Sequence, residues 1–216
     1  MVTQYDKISQ KFKNADESVP DVTRPILYSL VTKKKGKLLD LGCGYGEDLV
    51  HFQKEDFEVY GIDVSKEMVK EAEKKSQGAK VSVSSFEKLP YDEETFDIIF
   101  SRYALQHSDK ITPIFKEVSR VLKKGGEFVF LVTHPIRHYF EKKTKDYWKQ
   151  EICSSLILGG KVRVEEPSHK LNEYINKEIL SKFDLIDFIE EFDPAAEKIK
   201  DAGKYPSILI LKFKKR

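Results

Sequence analysis

"LLDLGCGYGEDL", which spans Leu38–Leu49, is the stretch that decides the fold. An apolar run ends at Leu41, and three glycines then alternate with other residues before Glu47. Because glycine has no Cβ atom, this pattern permits a tight turn and a close approach of a ligand to the backbone. The helix predicted to follow presents unpaired N–H groups, which favour a negatively charged group of the ligand. The stretch therefore predicts a strand, a ligand-binding loop and a helix.

Asp63 indicates what kind of ligand the loop binds. It ends the second predicted strand, where a carboxylate can accept hydrogen bonds from both hydroxyls of a ribose. A dinucleotide fingerprint has its third glycine one residue later than Gly46, at the position of Glu47. A glutamate there would repel a pyrophosphate but not a sulfonium. The spacing therefore favours a cationic adenosyl ligand over NAD.

Short apolar runs alternate with helical patterns beyond this loop. The predicted strands span residues 37–41, 57–63, 79–85, 95–101 and 126–134. This alternation predicts an α/β fold with a parallel sheet, helices on both faces and a ligand at the carboxyl ends of the strands. The end of the chain differs, with a predicted helix over 168–182 and two antiparallel strands over 183–192 and 206–214.

The clearest predicted helix begins near Ile111, where apolar residues recur at helical spacing as far as Leu122. Lys123 and Lys124 are expected in its last turn, and Gly125 is expected to end it in the left-handed region.

Length and composition favour one domain. The chain has 216 residues, and 38 basic against 36 acidic residues give a net charge of +2, which is too balanced to indicate a nucleic-acid or membrane partner. Two cysteines do not suffice for a disulfide scaffold or a metal cluster, so a reducing, cytoplasmic setting is expected. Residues 1–34 are expected to form a helical cap, and 135–168 a possible lid over a second substrate.

Four stretches carry a family resemblance. "LLDLGCGYGEDL", "VYGIDVSKEMV", "SSFEKLPYDEETFDIIFSRYALQH" and "VLKKGGEFVFLVTHP" resemble the successive motifs of class I S-adenosylmethionine (SAM)-dependent methyltransferases, over about residues 37–135. The chain is similar to the small-molecule group of ubiquinone- and menaquinone-biosynthesis type. The resemblance implies a Rossmann-like, mostly parallel sheet of order 3-2-1-4-5-7-6, with strand seven antiparallel. It also implies SAM as cofactor, S-adenosylhomocysteine (SAH) as product and a small-molecule methyl acceptor.

The resemblance also implies roles for single residues at the cofactor. The methionine end would be held by Asp40, Gly42, Cys43, Gly44 and Gly46. The ribose would bind Asp63, and the adenine would lie between Val64 and Met68. Family members often have an acidic residue where this chain has Ser85, so Ser85, Glu87 or a water would receive the adenine amino group. Phe86 would pack on the adenine face.

The fourth and fifth strands end beside the methyl group in this fold, which selects candidates to touch the acceptor. These candidates are Tyr103, Gln106, His107, His134 and His138. His107 is the predicted general base, with His134 as a second candidate that could equally shape the pocket. The stretch "QYDKISQKF" resembles an opening that folds over the cofactor, so Tyr5 could cover the sulfonium by a cation–π contact or simply belong to a packed helix.

Three other functions remain open at the level of sequence. A nucleotide-cofactor oxidoreductase is disfavoured by Glu47, whereas a non-catalytic protein that binds SAM or SAH would keep the same glycines and Asp63. An RNA-directed methyltransferase is a further alternative, although no RNA-binding module or basic excess is present. A monomer or homodimer is expected, with no metal site.

Overall fold

A seven-stranded sheet runs through the centre of the computed structural model, which describes residues 3–194, 196, 199 and 203–216. The described residues form the strands β1 Gly36–Leu41, β2 Phe57–Asp63, β3 Lys80–Val83, β4 Phe96–Arg102, β5 Leu122–Thr133, β6 Ile152–Ile157, β7 Val162–Pro167, β8 Phe183–Glu191 and β9 Ile208–Lys215. They also form the helices α1 Gln4–Asp16, α2 Thr23–Leu30, α3 Glu47–Lys54, α4 Lys66–Lys75, α5 Ile111–Val121, α6 Pro135–Glu141, α7 Leu171–Tyr174 and α8 Lys177–Leu180. One 3-10 turn covers Leu105–His107.

The strand order confirms the predicted topology. The large sheet runs β3-β2-β1-β4-β5-β9-β8, with β6 and β7 in a separate two-stranded hairpin. The first five strands are parallel, and β9 lies antiparallel to both β5 and β8. Since β8 and β9 are the sixth and seventh strands of this sheet, the observed order is the predicted 3-2-1-4-5-7-6.

Apolar residues on both faces of the central strands explain why helices cover both sides. Leu39 of β1 belongs to one buried cluster, whereas its neighbour Leu38 belongs to the other. Helix α5 buries Phe115 in the first cluster, and α3 buries Phe52 in the second. This two-sided packing leaves the carboxyl ends of the strands as the edge where loops can form a site.

The predicted C-terminal end of the helix that begins at Ile111 is wrong. Helix α5 ends at Val121, and Leu122 instead pairs with Phe96 of β4 in the sheet. Lys123 therefore leaves the helix and lies 2.8 Å from the carboxylate of Asp97. Lys124 likewise lies in the extended start of β5, with Gly125 at φ +69° inside that strand.

The predicted helix over 168–182 is interrupted in its middle. Ile175 has extended backbone angles, and Asn176 begins α8 by accepting the Ile179 N–H at 3.0 Å. The predicted single helix is thus replaced by α7 and α8.

Residues outside the β-α units form the walls above the sheet. Helices α1 and α2 lie in the predicted N-terminal cap, of which residues 1–2 lie outside the described residues. The predicted lid region 135–168 contains α6 and the β6–β7 hairpin. Helix α1 contacts both the start of α4 and the hairpin. Asp6 accepts a hydrogen bond from Ser65 at 2.7 Å, and the Gln4 amide pairs with the backbone of Glu165 in β7 at 2.7 and 3.0 Å.

Candidate functional site

The glycine loop after β1 adopts a conformation that glycine favours. Gly42, Gly44 and Gly46 have φ angles of +81°, +52° and +92°. A Cβ atom at Gly42 would lie 2.2 Å from the Ala104 Cβ, so packing requires this glycine. A Cβ atom at Gly44 would meet no atom of the described residues within 4 Å. Gly44 therefore faces open space, as a loop approached by a ligand requires.

This open space belongs to a cavity of about 350 Å³ at the carboxyl ends of the strands. Its volume lies in the range of small-molecule sites, roughly 300–1,000 Å³. Eleven of the sequence-predicted site residues line it: Tyr5, Gly42, Cys43, Gly44, Asp63, Val64, Met68, Phe86, Tyr103, Gln106 and His107. The cavity brings together most of the predicted cofactor and acceptor residues.

Asp63 lines the cavity at the end of β2. Its Oδ2 atom accepts the Gly44 N–H at 3.0 Å, and its Oδ1 atom accepts the Ser65 N–H at 2.8 Å. Burial raises the pKa of this carboxyl although both hydrogen bonds lower it. Two backbone donors thus hold the carboxylate at the end of β2, beside the buried side chains of Met68 and Phe86.

Ser85 and Glu87 do not lie where the sequence predicted them. Both are exposed, and neither lines the cavity. Glu87 instead accepts a hydrogen bond from Ser108 at 2.6 Å. The strand β3 ends at Val83, so the segment after it turns outward and only Phe86 points back to the cavity.

A charged cluster that sequence analysis missed also lines the cavity. It consists of Asp16, Asp21, Arg24, Asp48 and Arg102. Arg24 donates to Asp48 at 3.0 Å and to Asp21 at 2.7 Å. Arg102 donates to Asp48 at 3.3 Å and lies 3.1 Å from Asp21. The hydroxyl groups of Tyr28 and Tyr45 donate to Oδ1 of Asp48 and Oδ2 of Asp16 respectively, and both of these oxygens also accept from Arg24.

Asp40 lies behind the cavity rather than in its lining. Its Oδ2 atom is buried and has no hydrogen-bond partner among the described residues. Burial and then the charge of Asp48 raise its pKa well above the ordinary value. Gly46 likewise supports the loop from behind, where a Cβ would lie 3.1 Å from the Ala72 backbone. The structure does not bring either predicted contact to the cavity surface.

His107 lines the cavity beside Tyr5 and Glu166. Its Nε2 atom lies 2.8 Å from the Tyr5 hydroxyl and 3.6 Å from Oε2 of Glu166. Burial lowers the pKa of His107, although the charge of Glu166 opposes this change. The side chain of His107 is thus the predicted base candidate that reaches both the cavity and a carboxylate.

Glu166, which sequence analysis did not identify, is 2% exposed at the end of the inserted hairpin. Its Oε1 atom accepts hydrogen bonds from His138 at 2.9 Å and from Thr133 at 3.0 Å. Burial would raise its pKa, but the hydrogen bond from His138 and the nearby rings of His138 and His107 lower it to about 2. Glu166 is therefore an ionised carboxylate inside the wall.

The other two candidate histidines, His134 and His138, do not line the cavity. His134 shares a hydrogen bond with Glu190 at 2.8 Å, and its Nδ1 atom accepts the Ile136 N–H at 3.0 Å. Since both ring nitrogens are engaged at the start of α6, the structure gives His134 a capping position rather than a catalytic one. His138 is fully buried behind Glu166 and touches the site only through that carboxylate.

Tyr103 and Gln106 both line the cavity. Tyr103 adopts a φ of +52° after β4, and its hydroxyl donates to Asp193 at 2.7 Å. Gln106 is 2% exposed, and its Oε1 atom has no hydrogen-bond partner among the described residues. Arg137 also lines the cavity and lies 2.9 Å from Glu141.

The lining is rich in carboxylates. Its described residues include seven acidic side chains, Asp16, Asp21, Glu47, Asp48, Asp63, Glu166 and Asp193, against three arginines, Arg24, Arg102 and Arg137, an excess of 7 − 3 = 4. Among the described residues, no group of three or more His, Cys, Asp or Glu side chains could hold a metal ion. In the same part of the chain, no helix is long and apolar enough to cross a membrane. The cavity chemistry favours a cationic organic ligand.

Comparison with known proteins agrees with the fold and the loop. Residues 39–130 match the family described as "Methyltransferase domain". The chain is 38% identical over 139 residues to a ubiquinone/menaquinone biosynthesis C-methyltransferase of Desulfotalea psychrophila, covering 62% of this chain and 55% of that protein. It is 37% identical over 103 residues to the uncharacterised methyltransferase YcgJ of Bacillus subtilis, covering 45% and 40% of the two chains. The chain spans about half the length of the curated relatives it matches.

A solved SAM-dependent methyltransferase from Mesorhizobium loti superimposes with a TM-score of 0.67 at 21% identity, over 88% of this chain and 96% of that one. Because the superposition covers 88% of this chain, the shared fold extends beyond residues 39–130.

Proposed function

We propose that this chain, which carries a class I SAM-dependent methyltransferase domain, transfers the methyl group of SAM to a small-molecule acceptor. One observation carries the proposal. One cavity is lined by the glycine loop and Asp63 and also by His107 and Glu166. A nucleoside cofactor and a second substrate can therefore meet inside the same cavity.

The described residues fit SAM at its nucleoside end. The open space at Gly44 is where a side chain would obstruct the ligand, and the Asp63 carboxylate is held ready to accept ribose hydroxyl groups. Val64, Met68 and Phe86 provide an apolar surface for adenine. This set of groups does not require an adenine contact from Ser85 or Glu87.

The charged cluster fits the amino-acid end of SAM. It contains three carboxylates and two guanidiniums, an excess of 3 − 2 = 1 carboxylate. An α-ammonium group would balance that excess, while the arginines retain N–H donors for an α-carboxylate. The overall excess of acidic groups in the lining likewise favours the positively charged sulfonium.

The protein's task in the transfer is positioning and exclusion of water. When bound, SAM supplies an electrophilic methyl group on a sulfonium, so no side chain needs to act as a covalent nucleophile. Holding the two reactants in line lowers the barrier by about 7–11 kcal/mol in favourable cases. Tyr5 and Phe12 of α1 close one side of the cavity, and we assign Tyr5 a cation–π or hydroxyl contact at the sulfonium.

The acceptor is proposed to be small because the cavity of about 350 Å³ must hold it together with the cofactor. Ile157, Leu158 and Val164 of the hairpin region line the cavity together with α1. We further propose a cytoplasmic location, in which the buried free thiols of Cys43 and Cys153 stay reduced.

The experiment that tests this function follows conversion of SAM to SAH by the full chain with a panel of small hydroxyl, amine and carbon acceptors. We expect SAH release above the rate without acceptor for at least one member of the panel. The matched control is Gly44→Val, whose side chain would enter the space reserved for the ligand. Equal turnover by wild type and a folded Gly44→Val variant would contradict the assigned site.

A further inference from the structure

We propose that Tyr5, His107 and Glu166 act together to accept a proton from the methyl acceptor, which is therefore a hydroxyl compound or an amine and not an anion. The inference rests on the proposed function and assigns its second substrate a chemical class. Glu166 is a positioning residue in this scheme, because it acts through His107.

Three separate elements bring these side chains together. Tyr5 lies in α1, His107 ends the 3-10 turn after β4, and Glu166 lies in β7 of the inserted hairpin. The Tyr5 hydroxyl and Oε2 of Glu166 both face Nε2 of His107, at 2.8 and 3.6 Å. The Nδ1 atom of His107 is buried and has no partner among the described residues. Proton exchange at the ring is thus directed to Nε2.

The surroundings favour an uncharged His107 that can still take a proton. Burial lowers its pKa, and the nearby rings of His138 and His169 act in the same direction, while Glu166 opposes them. Tyr5 stays protonated because burial, and then the charges of Glu166 and Asp63, raise its pKa. In the neutral state the Tyr5 O–H donates to Nε2. In the protonated state Nε2–H faces the Tyr5 oxygen and the Glu166 carboxylate.

The step balances without an external reagent. The acceptor X–H gives its proton to the Tyr5 oxygen while the Tyr5 hydroxyl proton passes to Nε2 of His107, and the electron pair left on X forms a bond to the methyl carbon. The methyl–sulfur bond breaks, and its electrons stay on sulfur. The products are X–CH3, SAH and a His107 imidazolium paired with Glu166, which later releases its proton to solvent. General base catalysis of this kind contributes roughly 10²- to 10⁴-fold to a rate.

Charge in the cavity lining argues against an anionic substrate. Glu166 and Asp193 both line the cavity, and Arg137, which also lines it, is already paired with Glu141. The hairpin contributes an apolar wall, with Val164 2% exposed beside Ile157 and Leu158 in the lining. A carboxylate or phosphate would meet like charges, whereas a phenol or an ammonium would not.

The first test needs no acceptor. The pKa of the His107 ring is measured by NMR in the SAH complex of wild type, Glu166→Gln and Glu165→Gln. Glu165 is the matched control because it is exposed and adjacent on the same strand. We expect Glu166→Gln to lower the His107 pKa, because the charge that favours imidazolium is lost, and Glu165→Gln to leave it unchanged. An unmoved pKa in Glu166→Gln would overturn the coupling.

The second test asks which acceptor class binds. The SAH complex is titrated with 4-ethylphenol, 4-ethylbenzylamine and 4-ethylbenzoate, which share an apolar body and differ in charge. We expect benzoate to bind at least about tenfold more weakly than the better of the other two, since like-charge contacts cost several kcal/mol. Comparison of the affinities for the phenol and the amine shows whether the site favours a hydroxyl group or an amine as the proton donor. Benzoate binding as tightly, or no binding by any probe, would overturn the assigned class.

Calorimetry with SAH on every sample distinguishes a failure of the proposed function from a failure of the proton-transfer proposal. A wild-type chain that does not bind SAH refutes the proposed function itself. A chain that binds SAH while Glu166→Gln leaves His107 unchanged refutes only this inference.

Discussion

Replacement of Asp63 by alanine is the most informative single perturbation of the proposed cofactor site. The carboxylate ends β2 and is oriented by the Gly44 and Ser65 N–H groups at 3.0 and 2.8 Å. In the proposed complex it accepts hydrogen bonds from both ribose hydroxyl groups. Asp63→Ala removes both of these acceptors while leaving the rest of the cavity lining intact.

The expected magnitude follows from the charge of Asp63. A hydrogen bond to a charged group is worth about 1.5–3 kcal/mol, so loss of two costs about 3–6 kcal/mol of binding free energy. At about 1.4 kcal/mol for each factor of ten, SAH affinity should fall roughly 10²- to 10⁴-fold. Asp63→Asn keeps one oxygen acceptor and should fall between wild type and Asp63→Ala.

The assay is calorimetric titration with SAH, accompanied by circular dichroism to verify folding. Loss of the bonds to Gly44 and Ser65 should lower the thermal midpoint without unfolding the chain at 25 °C. Asp92→Ala is the matched control, because Asp92 is exposed on the β3–β4 connection and lies outside the cavity. A folded Asp63→Ala variant with wild-type SAH affinity would refute the role assigned to this carboxylate.

Three further outcomes are expected. Gly42→Ala should lower the thermal midpoint, because its methyl group would lie 2.2 Å from the Ala104 Cβ. Gly44→Ala should stay folded and lose SAH affinity, because its methyl group would enter the open space of the cavity. A Gly44→Ala variant that unfolds, or a Gly42→Ala variant that keeps its stability and loses SAH affinity, would contradict this distinction. SAH affinity should fall on acidification, because only the ionised Asp63 carboxylate accepts both ribose hydroxyl groups. Since the pKa of Asp63 is raised, the fall should begin above 3.8, the ordinary pKa of an aspartate. An affinity that stays constant down to pH 3.8 would contradict this assignment. Arg102→Met should reduce the free energy of unfolding in urea by about 3–5 kcal/mol, because it leaves three carboxylates with Arg24 alone, and an unchanged midpoint would show that the cluster is not a coupled unit.

The features that sequence analysis predicted correctly are those with a local physical signal. The glycine loop, the strand–helix alternation and the apolar stripe of α5 each depend on residues within a few positions of one another. Strand order followed from the family resemblance, and the structure confirms it. The position of Asp63 at the end of β2 belongs to the same class of short-range signals.

The features that were missed depend on contacts between distant segments. Asp16 and Arg102 are 86 positions apart in the chain but belong to one charged cluster, and no local pattern connects them. Glu166 gains its position only because the β6–β7 hairpin folds beside β5, where Thr133 and His138 reach its carboxylate. The end of α5 was misplaced because pairing of Leu122 with Phe96 outweighs the local helix-ending signals at Lys123 to Gly125.

His134 illustrates a different limit of sequence patterns. Its place after the fifth parallel strand suggested catalysis, yet the ring turns toward Glu190 and the start of α6. Two histidines four residues apart, His134 and His138, thus contact different carboxylates, and only His138 reaches the carboxylate that faces the cavity.

Calorimetric titration of the purified chain with SAH, with NADH titrated in parallel, tests the central claim most directly. We expect micromolar binding of SAH and no binding of NADH, because Glu47 lines the loop where a pyrophosphate would lie and the cavity carries an excess of acidic groups. Binding of NADH without SAH would contradict this expectation, and would mean that the glycine loop serves a dinucleotide after all.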